Sequence, residues 1–294
     1  MKLEVEKKFA AGLSVLSNSL VIIIKLIAGF LSGSISIISE AIHSMSDFLA
    51  SILTFFAVSK SVEPADDEHQ FGHGRYEDLA GFIEGILIIL ASFYIVYESC
   101  KKIINESSLE FDTTLGIIVM FVTVVANYLV SRYLYHVGKK TDSVALKADA
   151  EHLSTDIYSS LGVLIGLVLI KITGITLLDP LIAILVALII LKTGVKITKE
   201  TLNNLVDGTI PIEDIQIIKD AVNECSEIKG YKNIKTRKSG SNRDIDITLL
   251  CDGNITLKQC HNICDSIEDK IKIKLPNTLI TIHCEPFEKQ ISIS

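Results

Sequence analysis

The chain has 294 residues, 49% of them hydrophobic, with a formal net charge of −7 and a mean hydropathy of +0.44. That is too apolar for an ordinary soluble domain, and the negative balance without a basic stripe excludes a nucleic-acid binder. Long apolar runs crowd into residues 10–205, whereas 209–294 are rich in Lys, Asp and Glu. The composition therefore calls for a membrane portion, residues 1–208, followed by a small soluble domain, residues 209–294.

The start, "MKLEVEKKFA", carries charges of both signs and no small-residue cleavage site, so no cleavable signal peptide is expected. A bilayer core about 30 Å thick takes roughly 20 apolar residues of helix. Six such spans are predicted, near 10–31, 34–59, 78–104, 113–136, 145–172 and 178–200. Asn18, Lys25, Glu84 and Asn127 lie within them, and polar groups at such depth are expected to face the bundle interior or water. Lys and Arg mark alternate loops: Lys2, Lys7 and Lys8, then Lys60 and Arg75, then Lys139, Lys140 and Lys147, then Lys192, Lys196 and Lys199. The bias puts both termini in the cytoplasm, although Lys101 and Lys102 fall on the other side.

Within the second span, "EAIHSMSDFLAS" carries His43 and Asp47; within the fifth, "EHLSTDIYSS" carries His152 and Asp156. Residues four apart stack on one helix face, so each span offers one imidazole nitrogen and one carboxylate in one direction. If the faces meet, they form a four-ligand N₂O₂ cage suited to a tetrahedral divalent ion such as zinc, with cobalt, manganese, iron or cadmium also admissible. One His-x₃-Asp pair alone is most often a surface or packing feature. Two pairs inside spans are different, because a charge at the bilayer centre costs roughly 3 kcal/mol or more without a partner. Glu151, beside His152, either faces the cytoplasmic vestibule or pairs with Lys147 at i, i+4.

The loop "PADDEHQFGHGRYED" places Asp66, Asp67, His69 and His73 within eight residues, and its glycines let the chain turn around His73. Exposed loops often hold such residues, so spacing alone is weak evidence there. After "LVDGTIP" the pattern predicts a helix at 212–226, strands at 231–238 and 243–251 joined by "SGSN", a helix at 256–274 and a strand at 278–284. The order α-β-β-α-β implies a small sheet with helices on one face. Five of the six cysteines, Cys225, Cys251, Cys260, Cys264 and Cys284, fall in this tail, as thiols or metal ligands rather than disulfides if the tail is cytosolic. Cys251 and Cys284 are expected in the core. Strand alternation sends His283 and Glu285 one way and Cys284 the other, which makes His261, His283 and Glu285 the better ligand candidates. No His-Glu-x-x-His and no Gly-x₄-Gly-Lys-Ser/Thr occurs, which argues against a zinc protease and an ATP-driven pump.

"HSMSD", "PADDEHQFGHGRYE" and "KKTDSVALKADAEHLSTD" together resemble the cation diffusion facilitators, membrane antiporters that exchange a cytosolic divalent metal for protons, and the resemblance covers nearly the whole chain. It implies an α-helical membrane protein of six transmembrane helices with a C-terminal α+β, metallochaperone-like cytoplasmic domain. It implies a homodimer formed through that domain, in the cell membrane, and no enzymatic activity. His43, Asp47, His152 and Asp156 match the family's transport site, and His at position 43 points to Zn²⁺ as substrate. Asp66, His69 and His73 match a loop site of some members. Arg75 and Asp207 match an interdomain salt bridge. His261, His283 and Glu285 fit a cytoplasmic metal site, but Lys232 and Thr248 stand where some members place His, and an ammonium repels a cation. The implied mechanism is competition, since metal needs neutral imidazoles and ionised carboxylates, and an imidazole in water titrates near pH 6.5. A membrane-anchored metal sensor and a passive channel are the competing classes. Neither explains paired ligands deep in two spans as well as an exchanger does.

Overall fold

The computed structural model describes residues 2–32, 35–105, 114–173 and 178–287. Side chains of 29–43, of 114–120 apart from Ile118, of 159–179 apart from Leu161, and of Ser46, Lys102 and Asn105 lie outside that description. The chain divides into two compact units, Met1–Leu202 and Asn203–Ser294.

The first unit is helical: α1 (Lys2–Ser32), α2 (Ile35–Ser61), α3 (Arg75–Asn105), α4 (Thr114–Lys140), α5 (Val144–Thr173) and α6 (Leu178–Leu205). Each has at least 27 residues, so each is at least about 40 Å long and exceeds the hydrocarbon core. Three stretches among the described residues, Lys2–Ala28, Arg75–Lys101 and Pro180–Leu205, are long and apolar enough to cross a membrane. Apolar side chains such as Phe56, Phe93, Phe121 and Leu185 point outward, while Asn18, Lys25, Glu84 and Asn127 are buried. That inside-out pattern follows from a lipid solvent, in which only polar groups gain by facing other helices.

Most boundaries lie within a few residues of those expected. The largest departure is α1, which begins at Lys2 rather than 10. Its charged first turns are held by packing: Lys7 is 5% exposed and bonds Glu77 of α3. Helix α6 runs on to Leu205, because Thr201 is fully buried there.

The second unit holds α7 (Ile212–Asn223), β1 (Ile228–Ser239), β2 (Asn242–Cys251), α8 (Leu257–Lys274) and β3 (Thr278–Pro286). The sheet order is β1-β2-β3, with β1 antiparallel and β3 parallel to β2. Ser239 pairs with Asn242 across a two-residue turn, and Gly240 takes φ +57 there, a conformation that suits a residue without a Cβ. Ile245, Ile247, Leu249 and Cys251 alternate onto one face of β2. There they pack with Ile218 and Val222 of α7 and with Ile263, Ile267 and Ile271 of α8. Thr256 and Gln259 close a capping box that starts α8.

Candidate metal centre

Helices α2 and α5 pack together and carry the two His-x₃-Asp pairs. Asp47 Oδ1 lies 3.3 Å from His152 Nε2, and both residues are buried. That separation is long for a charge-assisted hydrogen bond, which closes to about 2.7–2.9 Å. It is close to the roughly 3.4 Å edge of a tetrahedron whose ligands sit about 2.1 Å from a central ion. His152 Nδ1 has no hydrogen-bond partner. Asp156, one turn along α5 and half-buried, lies in electrostatic range of the same imidazole. The structure thus brings Asp47 and His152 together, with Asp156 close by; the side chain of His43 lies outside the described residues.

Two further acids stand near this pair. Glu84 of α3 and Asp149 of α5 are both fully buried, and Thr54 of α2 donates to Glu84. Glu84 Oε2 and both Asp149 oxygens have no hydrogen-bond partner. Glu84 was legible as a polar residue in a span. Asp149 carries a quieter signal, an acid three residues before His152 and so on nearly the same helix face. Lys147 pairs with Asp142 at 2.9 Å, and Glu151 lies in electrostatic range of Lys196 on α6. A third acid, Glu77, is 1% exposed and gathers donors from three elements besides its own α3. These are Lys7 of α1, Ser61 of α2 at 2.7 Å, and Ser143 of the α4–α5 turn.

In the α2–α3 loop, Asp66, His69 and His73 offer three ligand atoms within 4.8 Å of one another. Asp66 reaches His69 Nδ1 and His73 Nε2 at 3.3 Å each, and the two rings stand 4.4 Å apart by their centroids. His69 Nδ1 and both His73 nitrogens are buried without a hydrogen-bond partner. The His69 backbone amide, 2.6 Å from Asp66 Oδ1, holds that carboxyl below its usual range, helped by the His73 and His69 rings. The loop thus presents one ionised oxygen and two imidazoles to one point. Asp67 is not part of that group among the described residues.

In the second unit, His261 and His283 are 71% and 70% exposed at the side chain. His261 pairs with Asp265 at 3.4 Å, and His283 lies 3.8 Å from Glu285. Among the described residues, His261, His283 and Glu285 form no group of metal-ligand spacing. The sheet register puts Lys232, Thr248 and His283 on one rung, and the Lys232 amine bonds Glu285. An ammonium therefore occupies the carboxylate that a cation would need. Cys251 is buried and Cys284 half-buried against the core, where burial pushes the Cys251 thiol up to about 12 and the Cys264 and Cys284 thiols upward. Asp207 pairs with Arg237 at 3.6 Å within this unit.

Family models match both units: the cation efflux transmembrane domain over residues 12–206 and the cation efflux protein cytoplasmic domain over residues 210–287. The chain is 33% identical over 270 residues to an uncharacterised transporter of Synechocystis sp., covering 90% of this chain and 86% of that one. It is 32% identical over 280 residues to protein p34 of Rickettsia prowazekii, covering 95% and 92%. To the cation-efflux pump FieF of Citrobacter koseri it is 30% identical over 277 residues, covering 94% and 92%. A bundle with inward-facing carboxylates and imidazoles, joined to a three-stranded α+β domain, matches both models along nearly its whole length. The chain therefore belongs to the cation efflux family, the cation diffusion facilitators, and is a membrane transporter of divalent metal cations rather than an enzyme.

Proposed function

We propose that this protein exports a divalent metal, zinc foremost, from the cytoplasm across the cell membrane in exchange for protons. The observation that carries the reading is the buried Asp47–His152 contact between α2 and α5. Two ligand types stand at tetrahedral spacing there, where an unpaired carboxylate would be costly. With His43 and Asp156 they complete an N₂O₂ set around the substrate. Metal enters from the cytoplasmic side, binds neutral imidazoles and ionised carboxylates, and leaves as protons arrive on the far side. Rocking of the helices alternates access. The loop triad Asp66, His69 and His73 binds a second ion near the bundle end. Residues 209–294 form the dimerisation domain, both termini are cytoplasmic, and Arg75 and Asp207 couple this domain to residues 1–208. His261, His283 and Glu285 make at most a weak cytoplasmic site, because Lys232 competes for Glu285.

Liposome reconstitution tests the proposal, following zinc, manganese and internal pH together under an imposed pH gradient. Zinc flux that grows with the gradient, with protons moving oppositely, is expected. Asp47→Ala and Asp156→Ala should each abolish that flux while the purified variants elute and melt like the parent. Normal flux in either folded variant would remove the ligand assignment. Manganese flux without zinc flux would overturn the substrate and keep the mechanism. Metal binding without flux would favour a sensor.

A further inference from the structure

Four tail cysteines from three elements meet at one end of the second unit's core. Cys251 closes β2, Cys284 lies on β3, and Cys260 and Cys264 lie one turn apart on α8. Their meeting follows from local geometry. The parallel register sets Cys284 beside Leu249, on the face of β2 that also carries Cys251 two residues on. On α8, Cys260 and Cys264 share the stripe of Ile263, Ile267 and Ile271 that packs on that face. The sulfur atoms of Cys251, Cys260 and Cys284 all lie within 4.8 Å of one another, and Cys264 Sγ is 3.3 Å from Cys284 Sγ. Sulfurs bound tetrahedrally at about 2.3 Å from an ion stand about 3.8 Å apart, so Cys251, Cys260 and Cys284 need shifts of no more than about 1 Å to close on one centre, with Cys264 beside Cys284 to swing in as the fourth ligand.

The alternative is that the thiols merely fill space as small hydrophobes. The rest of the same core is filled mostly by Ile, Leu and Val, and space filling asks for no convergence of sulfurs. Cys260 sits in the first turns of α8, just past the Thr256 cap, so its backbone position is fixed by the capping box. Cys260, Cys264 and Cys284 are only partly buried, which leaves a route in from solvent.

We infer that Cys251, Cys260, Cys264 and Cys284 form a thiolate site for a thiophilic d¹⁰ cation, of the class of Cd²⁺, Cu⁺ or Zn²⁺. Soft sulfur ligands select such ions over manganese or magnesium. The site uses none of the residues proposed for transport, so it stands or falls independently of that reading.

The test titrates Cd²⁺ into the reduced full-length protein in detergent. It reads the ultraviolet thiolate-to-cadmium charge-transfer absorption, and counts alkylated cysteines by mass spectrometry with and without the metal. The absorption should saturate at one ion per chain, and Cd²⁺ should protect these four cysteines while Cys100 and Cys225 still react. The Cys260→Ser/Cys284→Ser double variant should lose the absorption, whereas Asp47→Ala, His69→Ala and Cys225→Ser should keep it. The alkylation pattern of the parent protein carries the test even if the double variant fails to fold. Absence of the absorption, its survival in the double variant, or unchanged alkylation of the four thiols would each overturn the inference. So would a Cys264–Cys284 disulfide in air-exposed protein combined with no cadmium absorption after reduction, which would make the pair redox-active instead.

Discussion

Glu77 ties one end of the helical unit together. Its carboxylate takes Lys7, Ser61 and Ser143, so α1, α2, α3 and the α4–α5 turn share one buried anion. Glu77→Ala removes the carboxylate that the Lys7 ammonium, 5% exposed, bonds. Breaking one side of a buried pair costs about 3–5 kcal/mol, so the variant should show a markedly lower melting temperature in detergent. Glu77→Gln keeps an acceptor and should lose less. Asp66 makes a pH-dependent contribution of a different kind. Its carboxyl is depressed below the ordinary 3.8, chiefly by the His69 amide. A depressed carboxyl adds stability above its unfolded value and loses it as pH falls through the lower native one. The Asp66 contribution to loop order should therefore be flat from neutral pH down to about 4 and decline below that. Pepsin cleavage within residues 63–74 should rise over the acid window, and Asp66→Asn should be cleaved readily throughout it.

At the level of elements, α3 and α6 approach so closely that side chains are excluded. A Cβ on Gly85 would stand 2.4 Å from Thr198 Oγ1 and 2.9 Å from the Thr198 backbone nitrogen, and one on Gly194 would meet Ile88 at 3.0 Å. Small residues are what let helices pack in lipid, where van der Waals contact replaces the hydrophobic drive. Gly85→Leu should push α6 off α3 and lower stability by about 1–3 kcal/mol, read as an earlier thermal melt. Gly12→Ala, whose Cβ would meet only Phe55 at 3.6 Å, should melt like the parent. Such contacts were not legible in the sequence, because a glycine in an apolar run looks the same whether it faces lipid or a neighbouring backbone.

For the whole molecule, the proposed function couples the helical unit to the soluble unit. In the proposed reading Arg75 and Asp207 provide that coupling, while Asp207 also pairs with Arg237 within its own unit. A double-mutant cycle on zinc flux separates the roles. If Arg75 and Asp207 are coupled, Arg75→Ala and Asp207→Asn should lose less together than the sum of their single losses, by an interaction of about 0.5 kcal/mol or more. Additive losses would leave Asp207 with a role inside the soluble unit alone. Asn is the right replacement because Asp207 has φ +60, which Asn tolerates.

What the sequence determined by itself was everything that rests on short-range periodicity. Six apolar stretches, the α-β-β-α-β order of the tail and the two His-x₃-Asp faces all follow from spacings of two to four residues, which backbone geometry converts directly into faces. The same holds for the opposed faces of Cys284 and His283. The tertiary structure decided which faces meet. It brought Asp47 rather than a generic face to His152, turned Lys7 from an apparent orientation marker into the partner of Glu77, and set Lys232, Thr248 and His283 on one rung. It also gathered Cys251, Cys260 and Cys284, with Cys264 against Cys284, from three elements. Each of these depends on helix crossing, strand register or burial between segments far apart in the chain, and no local spacing encodes those.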